Sequence, residues 1–228
     1  MRRLYVICEG PTEQNFCCDL LGPHLAPLKI YLHAPLIKKS GGGLVKWSIL
    51  KKDLLRFLAA EPGCYVTTLI DFYGLTAKHQ FPEWADAQSK NRPADQVATL
   101  EHGMRRALAT DLQQRFLPYI QLHEFEALLF ADGQVYQGDF FSPDEVKDLA
   151  YLEHTLANFP HPEAINSGKS TAPSKRLEHI IKSYAGGPNG GKVVLGPLIA
   201  AEIGLPKIRQ KCPRFNAWVE RLEDLAPG

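Results

Sequence analysis

The stretch from Leu4 to Glu13, read LYVICEGPTE, decides the fold. Leu4 to Cys8 form an apolar run that suits a buried strand, and Glu9-Gly10 ends it. Pro11 fits the first turn of a helix, which we expect to continue to about Leu21. The stretch therefore predicts a strand, a sharp turn and a helix.

This alternation of strand and helix continues to about residue 132. Further strands are predicted over Lys29–Ile37, Cys64–Ile70 and Phe116–Leu122. Further helices are predicted over Val45–Ala60, Ala94–Gln114 and His123–Phe130. Such an order predicts an α/β fold: a mainly parallel, Rossmann-like sheet with right-handed crossovers, flanked by helices. We assign it to a core domain over residues 1–132.

The strand signal ends after Asp132. Short helices are predicted over Asp144–Asn158, Ser174–Tyr184, Val193–Ile203 and Pro213–Glu223. We expect residues 133–228 to form a C-terminal helical lobe packed on the core, because the segment is too short and loop-rich for an independent domain.

The composition of the 228 residues is that of a globular protein. The chain is 45% hydrophobic and has 26 Lys and Arg against 25 Asp and Glu, which excludes histone-like and disordered classes. No apolar run is long enough to span a membrane, and no signal peptide is recognisable at the start. The odd set of cysteines without CxxC spacing favours buried thiols in a reducing cytoplasm, and not a disulfide framework or a zinc site. These are Cys8, Cys17, Cys18, Cys64 and Cys212.

Charge is distributed unevenly along the chain. Residues 116–166 carry nine acids and one base, and residues 169–214 carry nine bases and two acids. A locally basic field attracts polyanions even when the net charge is near zero. A second basic cluster precedes and includes a predicted helix and would bind phosphate without sequence preference. It comprises Lys38, Lys39, Lys46, Lys51, Lys52 and Arg56.

Acidic residues follow three of the predicted strands. Glu9 follows the first, Asp71 the third, and Glu124 with Glu126 the fourth. Ligands of open parallel sheets bind at the carboxyl ends of strands, so these acids are expected to converge. Clustered carboxylates repel unless a cation neutralises them, and hard oxygen ligands suit Mg²⁺ or Mn²⁺. The pattern predicts metal-assisted phosphoryl chemistry.

Several motifs resemble those of a known group. The stretch VICEGPTE (6–13) is similar to the opening of TOPRIM domains, found in topoisomerases, primases and OLD-class nucleases. Three more stretches resemble a TOPRIM-like bacterial family described as domain of unknown function 4276, and the likeness spans nearly the whole chain. They read TLIDFYGL (68–75), YIQLHEFEALLF (119–130) and TAPSKR (171–176).

The resemblance implies a TOPRIM fold and a metal-dependent nuclease. Glu9 matches the acid/base glutamate and Asp71 the first metal-binding aspartate. TOPRIM domains carry Asp-x-Asp at the latter motif, whereas Tyr73 stands at the third position here. Glu124 is the expected replacement ligand, with Glu126 as its alternate. The family's genes often lie beside ABC-type ATPases, which implies an ATPase partner and a role in bacterial defence.

Other candidate residues have structural alternatives. Glu13, one helical turn after Glu9, is either a second metal ligand or a partner for a base. Glu9 could also complement a helix N-terminus, and Asp71 could cap a turn. On a regular helix Glu124 and Glu126 cannot face the same way. We therefore expect either that one lies in the site and the other is solvated, or that His123 orients one of them.

Two basic segments could bind phosphate. Lys175 and Arg176, at the start of a predicted helix, form either a phosphate clamp or a solvated face. Asn166 to Thr171 resembles a Walker A ending, but Glu163 occupies the position of its first glycine, so ATP binding there is not expected. The glycine-rich segment 186–192 is expected to be a loop.

The sequence thus predicts a cytoplasmic Mg²⁺- or Mn²⁺-dependent nuclease acting on DNA or RNA. The alternative is a non-catalytic module of the same fold that binds an ATPase or nucleic acid, which Tyr73 favours. The number of subunits stays open, a homo-oligomer included.

Overall fold

The computed structural model of the protein describes residues 1–38, 45–165, 168, 170–186 and 191–227. Lys39, the Walker-like residues Asn166, Ser167 and Lys169, and most of the glycine-rich loop, 187–190, lie outside the described residues. Two compact units are formed, Met1–Leu122 with Glu220–Gly228 and His123–Val219. The domain division at residue 132 stays a prediction.

The first unit contains a parallel sheet flanked by helices, which confirms the predicted fold class. Its strands are β1 (Arg2–Cys8), β2 (Ile30–His33), β3 (Tyr65–Asp71), β4 (Phe116–Leu117) and β5 (Ile120–Gln121). Its helices are α1 (Pro11–Phe16), α2 (Gly22–Leu25), α3 (Trp47–Ala60), α4 (Trp84–Gln88), α5 (Pro93–Arg106) and α6 (Thr110–Gln113). A π-helical segment, Cys17–Leu21, follows α1, so the predicted helix continues to Leu21 with a changed hydrogen-bond pattern.

The strand order is β2-β1-β3-β4, with every pair parallel, and β5 also pairs with β3. The single strand predicted over Phe116–Leu122 is wrong in detail, because Pro118 lacks the N–H that a continuous ladder needs. At the interruption the Thr68 hydroxyl donates to the Tyr119 carbonyl at 2.8 Å and accepts from the Tyr119 N–H at 3.0 Å. A side chain thus replaces the missing backbone pairing.

The core of the first unit lies between the sheet and the crossover helices. Leu50, Leu54 and Leu58 recur every four residues along α3, so one helical face is apolar and fully buried. They belong to the same buried cluster as Val66 and Ile70 of β3. This packing fixes the central strand, at whose end Asp71 lies.

The second unit is mostly helical. Its helices are α7 (Leu149–Asn158), α8 (Pro173–Ile180), α9 (Lys192–Ile203), α10 (Leu205–Lys211) and α11 (Pro213–Glu223). The last residues of α11, from Glu220, are assigned to the first unit. The helix predicted over His123–Phe130 is instead a 3₁₀ helix, Phe125–Phe130, with all six residues buried. It packs against α8, α9 and the 3₁₀ turn Pro162–Ala164. The helix predicted from Asp144 begins only at Leu149, where Asp148 caps it, and α10 was not predicted.

No described helix is long and apolar enough to cross a membrane.

Candidate functional site

Glu9 and Asp71 meet at the carboxyl edge of the sheet. The β1–β3 ladder extends one residue past β1, where the Glu9 N–H donates to the Leu69 carbonyl at 3.2 Å. The Glu9 side chain then turns toward the last residue of β3, and its Oε2 accepts the Asp71 N–H at 3.1 Å. Both side chains are partly exposed. The first unit therefore brings together the two acids that the sequence predicted for the site.

The chain leaves the sheet one residue after β3 ends at Asp71. The Phe72 N–H donates to the Gln121 carbonyl at 2.9 Å, and Gly74 at φ 85° allows a tight turn. Tyr73, at the position of the expected second aspartate, is 36% exposed. Nowhere in the described part of the chain do three His, Cys, Asp or Glu side chains form a group suited to a metal ion.

The Glu13 side chain caps the N-terminus of its own helix, α1. Its Oε2 accepts the Gly10 N–H at 3.0 Å, completing a capping box at the start of α1. The side chain is buried, and a Cβ on Gly10 would lie 3.1 Å from the same oxygen. This contact supports a structural role for Glu13, and its role as a metal ligand stays a prediction.

Glu124 is bonded to the start of α8 in the second unit. Its Oε2 accepts the Ser174 N–H at 2.8 Å, and its Oε1 accepts the Ser174 hydroxyl at 3.1 Å. A carboxylate at a helix N-terminus satisfies free N–H groups and complements the positive end of the helix dipole. Glu124 precedes the 3₁₀ helix in extended backbone, so the regular-helix argument does not apply to it.

Glu126 is buried and forms an ion pair with an exposed lysine of this unit. Its Oε1 lies 3.6 Å from Nζ of Lys192, the first residue of α9. Burial, and next the charge of Glu126, raises the pKa of Tyr184 well above its usual value. The expectation that Glu124 or Glu126 would be solvated is wrong, since both are buried. Their metal-ligand roles stay predictions.

His123, at the start of the second unit, has unusual backbone geometry. Its φ of 68° is in the left-handed region, which non-glycine residues rarely adopt. The imidazole is buried, and this desolvation lowers its pKa to about 4. The ring is therefore neutral at physiological pH.

Lys175 and Arg176 point to separate protein partners. Lys175 Nζ lies 2.6 Å from Glu178 Oε2, an ion pair along the exposed face of α8. The Arg176 guanidinium is buried and donates to the Thr171 carbonyl at 2.9 Å and to Thr155 Oγ1 at 3.0 Å. It also lies over the Tyr151 ring, 5.6 Å from the centroid. The phosphate clamp stays a prediction, and these contacts give Arg176 a structural role.

Two partners of the predicted acids were not found from the sequence: Ser174 and Lys192. The one available signal for Ser174 was its place after Pro173 at a helix start, where a free N–H needs an acceptor. The sequence around Ser174 does not indicate which distant residue supplies that acceptor.

The parallel sheet, with paired acids at its carboxyl edge, defines the chain as an α/β protein of the Rossmann-like class. The family model described as "Domain of unknown function (DUF4276)" matches residues 8–223, so the chain belongs to that family. No curated protein and no solved structure shows significant similarity to it.

Proposed function

We propose that the protein is a divalent-metal-dependent nuclease with a TOPRIM-like first unit. The observation that carries the proposal is the contact between Glu9 Oε2 and the Asp71 N–H at the ends of adjacent parallel strands. This edge is where open α/β sheets bind their ligands. It places two carboxyl-bearing residues side by side although they are far apart in the chain.

The chemistry of the donors fits a hard cation. Asp71, with Glu9 beside it, would hold Mg²⁺ or Mn²⁺ through carboxylate oxygen, the donor type these ions prefer. When bound, such an ion supplies positive charge for phosphate oxygens and for a nucleophilic water. Glu9 is assigned general acid/base chemistry, taking a proton from water or returning one to the leaving oxygen. Its bond to the Asp71 N–H orients the carboxylate for that work.

A basic surface in the first unit supports nucleic acid as the substrate class. A depression of about 540 Å³ is lined by Lys38, Lys52, Arg56 and buried Asp53. Asp53 accepts the Lys38 N–H at 2.8 Å and lies 3.6 Å from Arg56 Nη1, so it holds the Lys38 backbone and the Arg56 guanidinium near each other. Phosphodiester backbones are recognised mainly by such cations.

The connectivity relates this surface to the proposed site. Helix α3 connects β2 to β3, which both run parallel to β1, so α3 returns across the sheet and begins at the edge where the strands end. Lys46 directly precedes α3 at that end and is exposed. A strand bound along α3 would therefore approach the edge that carries Glu9 and Asp71.

The rival proposal is a non-catalytic module of the same fold. Two observations favour it: Tyr73 replaces the second aspartate, and both predicted replacement ligands, Glu124 and Glu126, contact protein groups. Such a module would bind nucleic acid or the ABC-type ATPase that the family resemblance implies as a partner. It would not hydrolyse phosphodiesters.

A cleavage assay on the purified protein separates the two proposals. Labelled single-stranded DNA, duplex DNA and RNA are incubated with Mg²⁺, Mn²⁺ or EDTA, and binding is measured in parallel. We expect metal-dependent cleavage that Glu9→Gln lowers about 100-fold or more. Glu153→Gln, an exposed glutamate of α7, is the matched control and should cleave normally.

Two results would contradict the nuclease. Nucleic-acid binding without cleavage under every metal condition would favour the module. Cleavage that is equal in wild type and Glu9→Gln would remove Glu9 from the reaction.

A further inference from the structure

The second unit contains a cavity that none of the predicted catalytic, metal-binding or phosphate-binding residues lines. Its volume is about 300 Å³, and its walls come from residues 130–133, the end of α7, the loop 159–162 and α10. This is at the lower end of the range for small-molecule sites, roughly 300–1,000 Å³. The cavity could therefore enclose a ligand of about one or two rings, but not a polymer.

Most of the cavity wall is apolar and partly aromatic. Phe130, Leu156, Phe159 and Ile165 contribute hydrocarbon or ring surface. Pro160 and Pro162 line it too and have no N–H to donate, while their rings restrict the backbone of the loop. Flat, rigid walls of this kind favour a planar apolar body, which stacks on aromatic rings without a large entropic cost.

The polar end of the cavity is cationic. Lys207 and Lys211 are four residues apart on α10 and so share a face. Lys207 Nζ lies 3.5 Å from Asp132 Oδ2, whose side chain also accepts the Gln134 N–H. For Lys211, the part of the chain that the structure describes offers no carboxylate within ion-pair distance. One of the two cations is thus left to balance the charge of a ligand.

His161 adds a second polar feature to the lining. Its Nδ1 is buried and has no hydrogen-bond partner among the described residues. A buried polar atom without a hydrogen-bond partner lowers the stability of the fold, and such atoms are rare in native structures. A polar atom of a bound molecule would satisfy it.

We propose that this cavity binds a small aromatic anion. Its ring system would lie against Phe130, Leu156 and Phe159, and its single anionic group would reach Lys211. A nucleoside monophosphate and a simple aromatic carboxylate share this chemistry. The proposal does not rest on the nuclease activity, and the ligand would act as an effector or a separate substrate of this family member.

Fluorescence titration with 1-anilinonaphthalene-8-sulfonate tests the proposal, because this dye is itself an aromatic anion. We expect saturable binding of one dye per chain. Lys211→Gln, at an exposed position, should weaken it about tenfold through loss of the charge-assisted contact. Leu156→Trp should block it by filling the cavity. Lys78→Gln, an exposed lysine of the first unit, is the charge-matched control.

Displacement then identifies the source of the ligand. Loss of dye fluorescence on adding AMP assigns a nucleotide, and loss on adding 1-naphthoate alone assigns a non-nucleotide aromatic acid. The proposal is overturned if the dye does not bind, if neither compound displaces it, or if Leu156→Trp and Lys211→Gln bind it as the wild type does.

Discussion

The Glu9 carboxylate accepts the Asp71 backbone N–H at 3.1 Å, although the two residues are 62 positions apart in the sequence. The contact depends on the pairing of β1 with β3, which aligns Cys8 with Leu69 and so brings the residues after them together. Local sequence places each acid at the end of a strand. The topology makes them neighbours.

The contact between Glu124 and Ser174 predicts a stability effect. Replacing Glu124 by Gln removes the charge and one of two acceptors from buried donors, so the free energy of unfolding should fall by about 1–3 kcal/mol. Ser174→Ala removes only the hydroxyl donor and should cost about 1 kcal/mol. Urea unfolding measures both.

The same pair of variants tests whether Glu124 also binds metal. If the Mn²⁺ affinity falls in Glu124→Gln but not in Ser174→Ala, Glu124 binds the ion. If the affinity is unchanged in both variants, Glu124 only caps α8. Unchanged stability in Glu124→Gln would contradict the buried contact itself.

The buried imidazole of His123 predicts a pH dependence of stability. Burial lowers the pKa of His123 from 6.5 to about 4, so the folded protein keeps the ring neutral while the unfolded chain takes up a proton. The free energy of unfolding is therefore unaffected by this difference above pH 6.5, and it falls as the pH drops from 6.5 toward 4.

His123→Asn isolates this contribution, because asparagine does not titrate and tolerates positive φ. Urea unfolding at pH 7 and pH 5 should show a smaller loss of stability in this variant than in the wild type. An equal loss in both proteins would show that His123 does not titrate as its burial requires.

The basic surface on α3 predicts salt-dependent binding of nucleic acid. Within the described ranges neither Lys46 nor Lys52 has a carboxylate partner, so each is available for a phosphate. Replacing either by Gln should weaken binding of all sequences alike and lower the salt slope of log Kobs by about 1. Fluorescence anisotropy from low to moderate salt measures this. Lys78→Gln serves as the control, and unchanged slopes in both variants would exclude α3 from the interface.

The fold was predictable where local pattern and packing agree. The segment Leu4–Glu13 combines an apolar run, a turn and a proline at a helix start, and the structure follows it closely. The strand that ends at Asp71 was equally predictable. It lies in the middle of the sheet and is buried, so its sequence is a nearly continuous apolar and β-branched run. The candidate pair Glu9 and Asp71 followed from the general rule for parallel sheets.

The segment His123–Phe130 was mispredicted because its conformation is set by non-local contacts. Its apolar residues resemble an α-helix, but all six residues of the 3₁₀ helix are buried, and Glu124 is bonded to a residue 50 positions later. Similarly, Arg176 looks like a surface cation in sequence, and only the tertiary structure gives it the buried partners Thr155 and Thr171. The spacing of residues in the sequence does not predict such contacts between distant residues.

The most direct test of the metal site is a Mn²⁺ titration followed by electron paramagnetic resonance. Glu9→Gln keeps an acceptor for the Asp71 N–H and Asp71→Asn keeps the side-chain shape, so both should fold. Asp111→Asn, an exposed aspartate of α6, is the control. We predict a bound Mn²⁺ whose affinity falls about tenfold or more in Glu9→Gln and Asp71→Asn but not in Asp111→Asn. No binding by the wild type, or equal affinities in all four proteins, would contradict the account.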